Sequence, residues 1–303
     1  MMRGIISHWD IDGIASAVIL SINYGIPTRN IKLSSTIKID KYFNEISKNK
    51  VQNVFITDLN PSFQIAENII KIAEKKKIKL VWIDHHAWDE EAKNFLKTRG
   101  AEIIVDEKAS CAAELVKNYL YGEQRPPSYI EDVLKLAIDD DTFSNKYEMT
   151  YKWRVLLRWG DWSIRYKTLE SWIDGYIWPK WAQREFERID LEYKKLIKSA
   201  IEASEYVQTE QGVIAFISSS EKLHPGDIVR ELESEGKRPA DLYVFIYDKG
   251  ISLRSHKINV LQIASALGGG GHPYAAGISL IDDVQDKESI KSKIINLLKR
   301  LKL

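Results

Sequence analysis

The chain has a single cysteine, Cys111, in 303 residues, which excludes an intrachain disulfide framework and fits a reducing compartment. It has no apolar run near the ~20 residues needed to cross a bilayer. Its first residues, MMRGIISHWDIDG, reach carboxylates too soon for a secretory signal. These absences predict a soluble, cytoplasmic protein with no membrane partner. An excess of charge is also missing, with 44 Lys and Arg against 43 Asp and Glu. Proteins that grip long nucleic acid through many phosphates usually carry a basic surplus, because counterion release drives that binding. The balance here points to a small or short substrate. No internal repeat or low-complexity tract stands out.

What is present is enough to bury a core: 44% of residues are hydrophobic and 29% charged, over a length that suits one large domain or two medium ones. Strand and helix signals alternate over 1–145. Gly4 to His8 reads as a strand, Gly13 to Ile22 as a helix, Val54 to Thr57 as a strand, Pro61 to Lys75 as a helix and Lys79 to Ile83 as a strand. Such alternation predicts a mostly parallel, doubly wound sheet with helices on both faces. Gln183 to Tyr206 reads as a long charged helix. Strands at Gly212–Ser218, Leu242–Tyr247 and Ile251–Arg254, with a closing amphipathic helix Glu288–Leu303, predict a smaller C-terminal α/β domain. The expected boundaries are 1–182 with a Trp-rich segment at 150–182, a connecting helix at 183–210, and a second domain at 211–303.

Open α/β sheets bind their ligands outside the carboxyl ends of the strands. Three predicted strands end there in possible metal ligands: His8-Trp9-Asp10-Ile11-Asp12-Gly13, then Asp58, then Asp84-His85-His86. Asp139-Asp140-Asp141 follows a fourth apolar run. Carboxylates packed at one edge repel unless cations neutralise them. Mixed carboxylate and imidazole donors suit Mn²⁺, Fe²⁺ or Zn²⁺, and a carboxylate majority leans to Mn²⁺ or Mg²⁺. An extended His-x-Asp-x-Asp would aim its three side chains the same way. Each piece alone has a plainer reading: Asp12-Gly13 as a turn or helix start, Asp58 as a cap, the triple aspartate as a solvated loop. Adjacent histidines after an apolar strand have little structural use, and four such segments in one chain argue for one site.

These segments resemble the DHH phosphoesterase superfamily, whose signature triplet stands here as Asp84-His85-His86. That superfamily includes RecJ-like exonucleases, nano-RNA and dinucleotide hydrolases and family II pyrophosphatases. The resemblance implies that His8, Asp10, Asp12, Asp58 and His85 ligate two Mn²⁺-type ions, with Mg²⁺ or Co²⁺ as alternatives, and that Asp58 bridges them. The last ligand is either Asp139 or Asp141. His86 is implied beside the scissile phosphate, and Asp84 and His272 join it as catalytic candidates.

Residues 268–277 read Gly-Gly-Gly-Gly-His-Pro-Tyr-Ala-Ala-Gly. A glycine run lets backbone N–H groups approach a phosphate closely, although a flexible loop or a tight packed turn also reads from it. The stretch from Ile251 is similar to the DHH-associated domain, which excludes the pyrophosphatase branch. It implies Arg254, Ser255, Gly269, Gly270, Gly271 and His272 as substrate-binding residues.

Six of the nine tryptophans lie between Trp153 and Trp181. Their helical spacing favours packing over base stacking. Cys111 heads a helix, with no matched base to make it a nucleophile. The leading expectation is an exonuclease or oligoribonuclease that cuts short RNA or single-stranded DNA to nucleoside 5′-monophosphates. A small-nucleotide phosphatase, a linear or cyclic dinucleotide phosphodiesterase, and a silent partner of replication proteins are the alternatives. A homodimer contact is compatible with each.

Overall fold

A computed structural model describes residues 2–234, 239–279 and 287–301. The chain divides into two compact units, 1–186 and 187–303. In the first, five strands form one parallel sheet: β1 (Arg3–His8), β2 (Ile31–Ser34), β3 (Asn53–Thr57), β4 (Lys79–Asp84) and β5 (Glu102–Val105), in the order β2-β1-β3-β4-β5. The helices are α1 (Ile11–Tyr24), α2 (Ile39–Ile46), α3 (Phe63–Lys76), α4 (Glu90–Thr98), α5 (Ala112–Tyr121), α6 (Ser128–Asp141), α7 (Glu148–Trp159) and α8 (Trp162–Ile173).

Successive side chains of a strand face opposite ways, and the two faces bury different partners. Ile6, Val54, Ile56, Leu80 and Trp82 pack with residues of α2, α3 and α4 in one apolar cluster. On the other face α1 lies against β1 and α5 against β4, and α6, α7 and α8 pack on α1. The sheet is therefore doubly wound, as the alternation of elements predicted. The winding reverses between β1 and β3. That is the crevice in which such sheets hold ligands.

The long helix α9 (Lys180–Glu202) crosses the boundary between the units. The second unit holds β6 (Glu205–Thr209), β7 (Gly212–Ser218), α10 (Pro225–Ser234), β8 (Leu242–Ile246), β9 (Gly250–Arg254), α11 (Val260–Ala266), β10 (Gly270–His272), β11 (Ala275–Ser279) and α12 (Lys287–Leu301). Its six strands form a mixed sheet, β10-β11-β9-β8-β7-β6, in which only β7 and β8 run parallel. Ile214, Phe216, Val244 and Leu253 bury one face against Val260 and Ile263 of α11 and Ile290 and Ile294 of α12.

Several boundaries differ from expectation. The long helix starts and ends earlier than 183–206, because the chain turns at Ser204 and enters β6. The first helix begins at Ile11 rather than Gly13, since Asp10 caps it: its side chain accepts from Gly13 N at 3.0 Å. Residues 302 and 303, expected to end the closing helix, lie outside the described residues. Strands β2 and β5, of four residues each, were not among the expected elements.

Candidate metal centre

The His8–Asp12 segment is not extended. Strand β1 delivers His8, the cap delivers Asp10, and the first turn of α1 delivers Asp12. Gly13 is required by the tightness of this turn, because a Cβ there would stand 2.3 Å from His8 O. Ser7 ties the turn to the next strand through hydrogen bonds to Gly13 O and Thr57 Oγ1, each 2.6 Å. Asp12 is fully buried and accepts Ala112 N (2.7 Å) and Ala113 N (2.8 Å) from the first turn of α5, where opposite charges attract. Those two amides were not foreseen. Only the small residues heading that helix hinted at them.

Asp58 follows β3 in a left-handed conformation, φ 56°, which costs a non-glycine residue some strain. Its N–H donates to Ile83 O at 3.1 Å, and Trp82 Nε1 donates to Leu59 O at 2.6 Å, so β4 fixes the turn from both sides. The carboxylate then looks two ways. Oδ2 stands 3.6 Å from His8 Nδ1, while Oδ1 stands 3.7 Å from both His85 Nε2 and His86 Nδ1.

Two of the donor groups among the described residues are built around these side chains. His8, Asp10 and Asp58 form one, with His8 Nδ1 2.7 Å from Asp10 Oδ2. Asp12, His85 and Asp141 form the other, with His85 Nε2 3.1 Å from Asp141 Oδ2 and 3.9 Å from Asp12 Oδ2. In each group the donor atoms lie within 4.8 Å of one another.

Asp84 has a different place. It is fully buried, and its oxygens accept His85 N (2.9 Å), face His86 Nδ1 (2.8 Å) and accept Trp88 Nε1 (2.6 Å). The structure thus places Asp84, one of the expected catalytic groups, behind His86 and Trp88. Trp88 was missed, since nothing in its spacing distinguishes it; its ring meets Trp82 edge-on at 5.1 Å.

The three aspartates ending α6 part company, as successive residues 100° apart on a helix must. Asp139 turns away from the cluster: it accepts Ser144 Oγ (2.6 Å), Lys146 N (2.7 Å) and Tyr147 N (3.2 Å) and so caps the following loop. Asp140 pairs with Arg154 at 2.5 Å. Asp141 reaches His85. Of the two candidates for the last ligand, the structure brings only Asp141 to the site.

Electrostatics asks for cations here. Burial, and then the charges of Asp12, Asp10, Asp141 and Asp84, push Asp58 well above the usual carboxylate range. Burial with Asp12, Asp10 and Asp140 does the same to Asp141. Burial also raises Asp12, against the pull of His85. Asp10 goes the other way, held low by His8 in spite of burial. Asp58 Oδ2 is buried with no hydrogen-bond partner. An orphaned carboxylate oxygen among imidazoles and further carboxylates is what a bound divalent ion satisfies, and the donor set fits one.

In the second unit the glycine run makes a hairpin. Gly271 pairs with Ala276, and a Cβ on Gly269 would stand 2.2 Å from Gly277 O. The glycines serve close approach of the chain to itself. Gly269 N donates to Ala264 O at 2.8 Å and closes α11, so this amide is not open to a phosphate. Ser255 is likewise spent: buried, it donates to Asp241 O and accepts Lys257 N and Ile258 N. Both belong to the expected substrate-binding set, and the structure shows these groups in bonds within the domain. Gly270 has open space around it, His272 ends β10 half-buried, and Arg254 ends β9 with Nη1 donating to Ser252 Oγ at 2.8 Å.

Among the tryptophans, Trp153 and Trp172 are fully buried and meet edge-on at 5.5 Å, so these two are packing residues. Cys111 is buried, and burial pushes its thiol up, away from nucleophilic use. Among the described residues no helix is long and apolar enough to cross a membrane.

A parallel sheet that gathers aspartates and histidines from three strand ends at its switch point, followed by a mixed-sheet domain, defines a metal-dependent phosphoesterase. The chain belongs to the DHH family: residues 4–138 match the DHH family N-terminal domain and 196–300 the DHHA1 domain. It is 24% identical to the oligoribonuclease NrnB of Bacillus subtilis (strain 168) over 311 residues, covering 94% of this chain and 74% of that protein. Its fold is similar to that of exonuclease RecJ bound to manganese, at TM-score 0.60 and 13% identity, covering 99% of this chain and 90% of that one. A pGpG-specific phosphodiesterase, PggH from Vibrio cholerae, shares the fold at TM-score 0.57 and 14% identity over 99% of each chain.

Proposed function

We propose that this phosphoesterase hydrolyses phosphodiester bonds of short RNA or single-stranded DNA, including linear dinucleotides, and releases nucleoside 5′-monophosphates. The observation that carries the reading is the two-way carboxylate of Asp58, set between the His8–Asp10 pair and the Asp12–His85–Asp141 group. It suits a pair of divalent ions sharing one bridging ligand, as in two-metal phosphate hydrolases. Mn²⁺ fits the mixed donors best, with Mg²⁺ or Co²⁺ as substitutes. The relatedness to an oligoribonuclease and the even charge balance both favour a short substrate.

His8, Asp10, Asp12, Asp58, His85 and Asp141 would hold the ions. When bound, these supply Lewis acidity to an attacking water and to the phosphoryl oxygens. The chain's own part is proton handling and orientation. Asp84 accepts from His86 Nδ1–H, and its charge raises the imidazole above its usual range although burial opposes this. With Nδ1 so held, Nε2–H is the atom that would donate to the leaving oxygen. Arg254 and His272 of the second domain are the candidates for holding the terminal nucleotide.

The test is incubation with Mn²⁺ and end-labelled 2–20-nucleotide RNA and DNA, beside pGpG and 3′-phosphoadenosine 5′-phosphate. Stepwise release of monophosphates from the short oligonucleotides supports the reading. Turnover of the bisphosphate alone replaces it with a nucleotide phosphatase.

A further inference from the structure

Residues 139–195 lie between the two matched family regions, and α8 belongs to this stretch. It packs against α1, and Tyr166 Oη accepts Leu33 N of β2 at 3.2 Å, so its position beside the first strands is fixed. From it Arg165 enters a stack that begins at the metal cluster. The His8 ring lies 5.2 Å from the Trp9 ring, the Arg165 guanidinium 3.9 Å over Trp9, and the same guanidinium 4.7 Å over Trp162.

Each ring of this stack is half-buried, and the guanidinium covers both indoles. The faces of Trp9 and Trp162 under the guanidinium are therefore not open to a base. What the stack does offer is the rim of the guanidinium. Arg165 Nε donates to Leu157 O at 3.2 Å, and among the described residues the guanidinium makes no other hydrogen bond and no ion pair. A planar fork with unengaged Nη–H donors matches a phosphate bidentately. Clamping by the indoles means that little side-chain freedom remains to be lost on binding. Burial and then Arg158 push the Arg165 guanidinium below its usual range, against the pull of Asp10 and Asp161. A guanidinium at the edge of an acidic cluster attracts an anion that the cluster itself would repel.

We propose that Arg165, held between Trp9 and Trp162, binds a backbone phosphate of the substrate strand beyond the scissile one. This subsite would make the enzyme prefer oligonucleotides to substrates with no further phosphodiester. It rests on the short-oligonucleotide reading above and adds to it a residue from outside the matched regions.

The experiment is a fluorescence-anisotropy titration of a labelled five-nucleotide DNA against the full chain and R165M, across a range of salt. The same strand is then used with one neutral methylphosphonate linkage placed at each position in turn. R165M is expected to bind roughly 10-fold more weakly, about 1.4 kcal/mol. Its log–log salt slope should be shallower by about 0.7, the value for one lost phosphate contact on a single strand. The loss should vanish on the one probe whose neutral linkage meets Arg165. A loss of equal size on every probe with an unchanged slope, or no loss at all, overturns the proposal. If R165M does not fold, R165K replaces it: it keeps the cation but not the fork, and should keep most of the slope while losing affinity. Unchanged affinity in R165K then overturns the proposal. Cleavage of the same DNA by the unaltered chain reports separately on the function. Cleavage with an indifferent R165M defeats the subsite alone, whereas failure to bind or cleave defeats both.

Discussion

Asp84 Oδ1 lies 2.8 Å from His86 Nδ1, within a pocket closed by Trp88 Nε1 on the other carboxylate oxygen. We propose that this buried charge acts through the imidazole it holds.

Removing the support should therefore damage turnover more than metal binding. Trp88→Phe deletes one donor to a buried carboxylate and is expected to lower kcat roughly 10–100-fold, as loss of such supporting contacts does. Manganese affinity, measured by calorimetry, should stay near that of the unaltered chain. Asp84→Asn also removes the charge that raises His86. The alkaline limb of the kcat–pH profile, where His86 loses its proton, then moves to lower pH. A limb that stays in place would remove His86 as the proton donor.

The neighbouring aspartates of α6 should separate cleanly. Asp141→Asn takes away a donor 3.1 Å from His85 and is expected to cost roughly 10²–10⁴-fold in kcat together with metal affinity. Asp139→Asn weakens the cap over Lys146 and Tyr147, and is expected to cost about 1–3 kcal/mol of stability. Its specific activity per folded molecule should be kept. Urea unfolding beside initial rates checks both, and the reverse pattern would move the ligand to Asp139.

The metal-free protein should carry a pH-dependent strain. Asp58, Asp141 and Asp12 have raised values in the folded state, so they cost nothing below the unfolded carboxylate range, near pH 4. They destabilise the fold progressively as pH rises through the raised values. Asp58→Asn removes one of them. It is expected to raise the melting temperature of the metal-free protein at pH 7–8 and to have little effect near pH 4. Manganese should reverse the order, stabilising the unaltered chain more than the variant. Equal melting temperatures at every pH would contradict the raised carboxylates.

Much of this site was legible because strand ends in a parallel sheet must converge. An apolar run ending in Asp58, or in Asp84-His85-His86, states both the strand and the edge where its ligands stand. The triple aspartate was not legible to the residue, since which member faces inward depends on where α6 ends and how it rolls on α1. His8, Asp10 and Asp12 converge for a reason different from the expected one: strand, cap and helix turn each aim one side chain. The glycine run hid a hairpin, because glycine permits both phosphate cradles and close backbone pairing. Least readable was the stack of Trp9 on Arg165. Its two halves come from opposite ends of the first unit, and neither has periodicity to announce it.

The most direct measurement is a crystal of the full chain soaked in Mn²⁺, with data collected to record manganese anomalous scattering. Two peaks are expected roughly 3.5–4 Å apart, one beside His8 and Asp10, the other among Asp12, His85 and Asp141, with Asp58 touching both. A single peak, or peaks away from Asp58, would contradict the shared-carboxylate site.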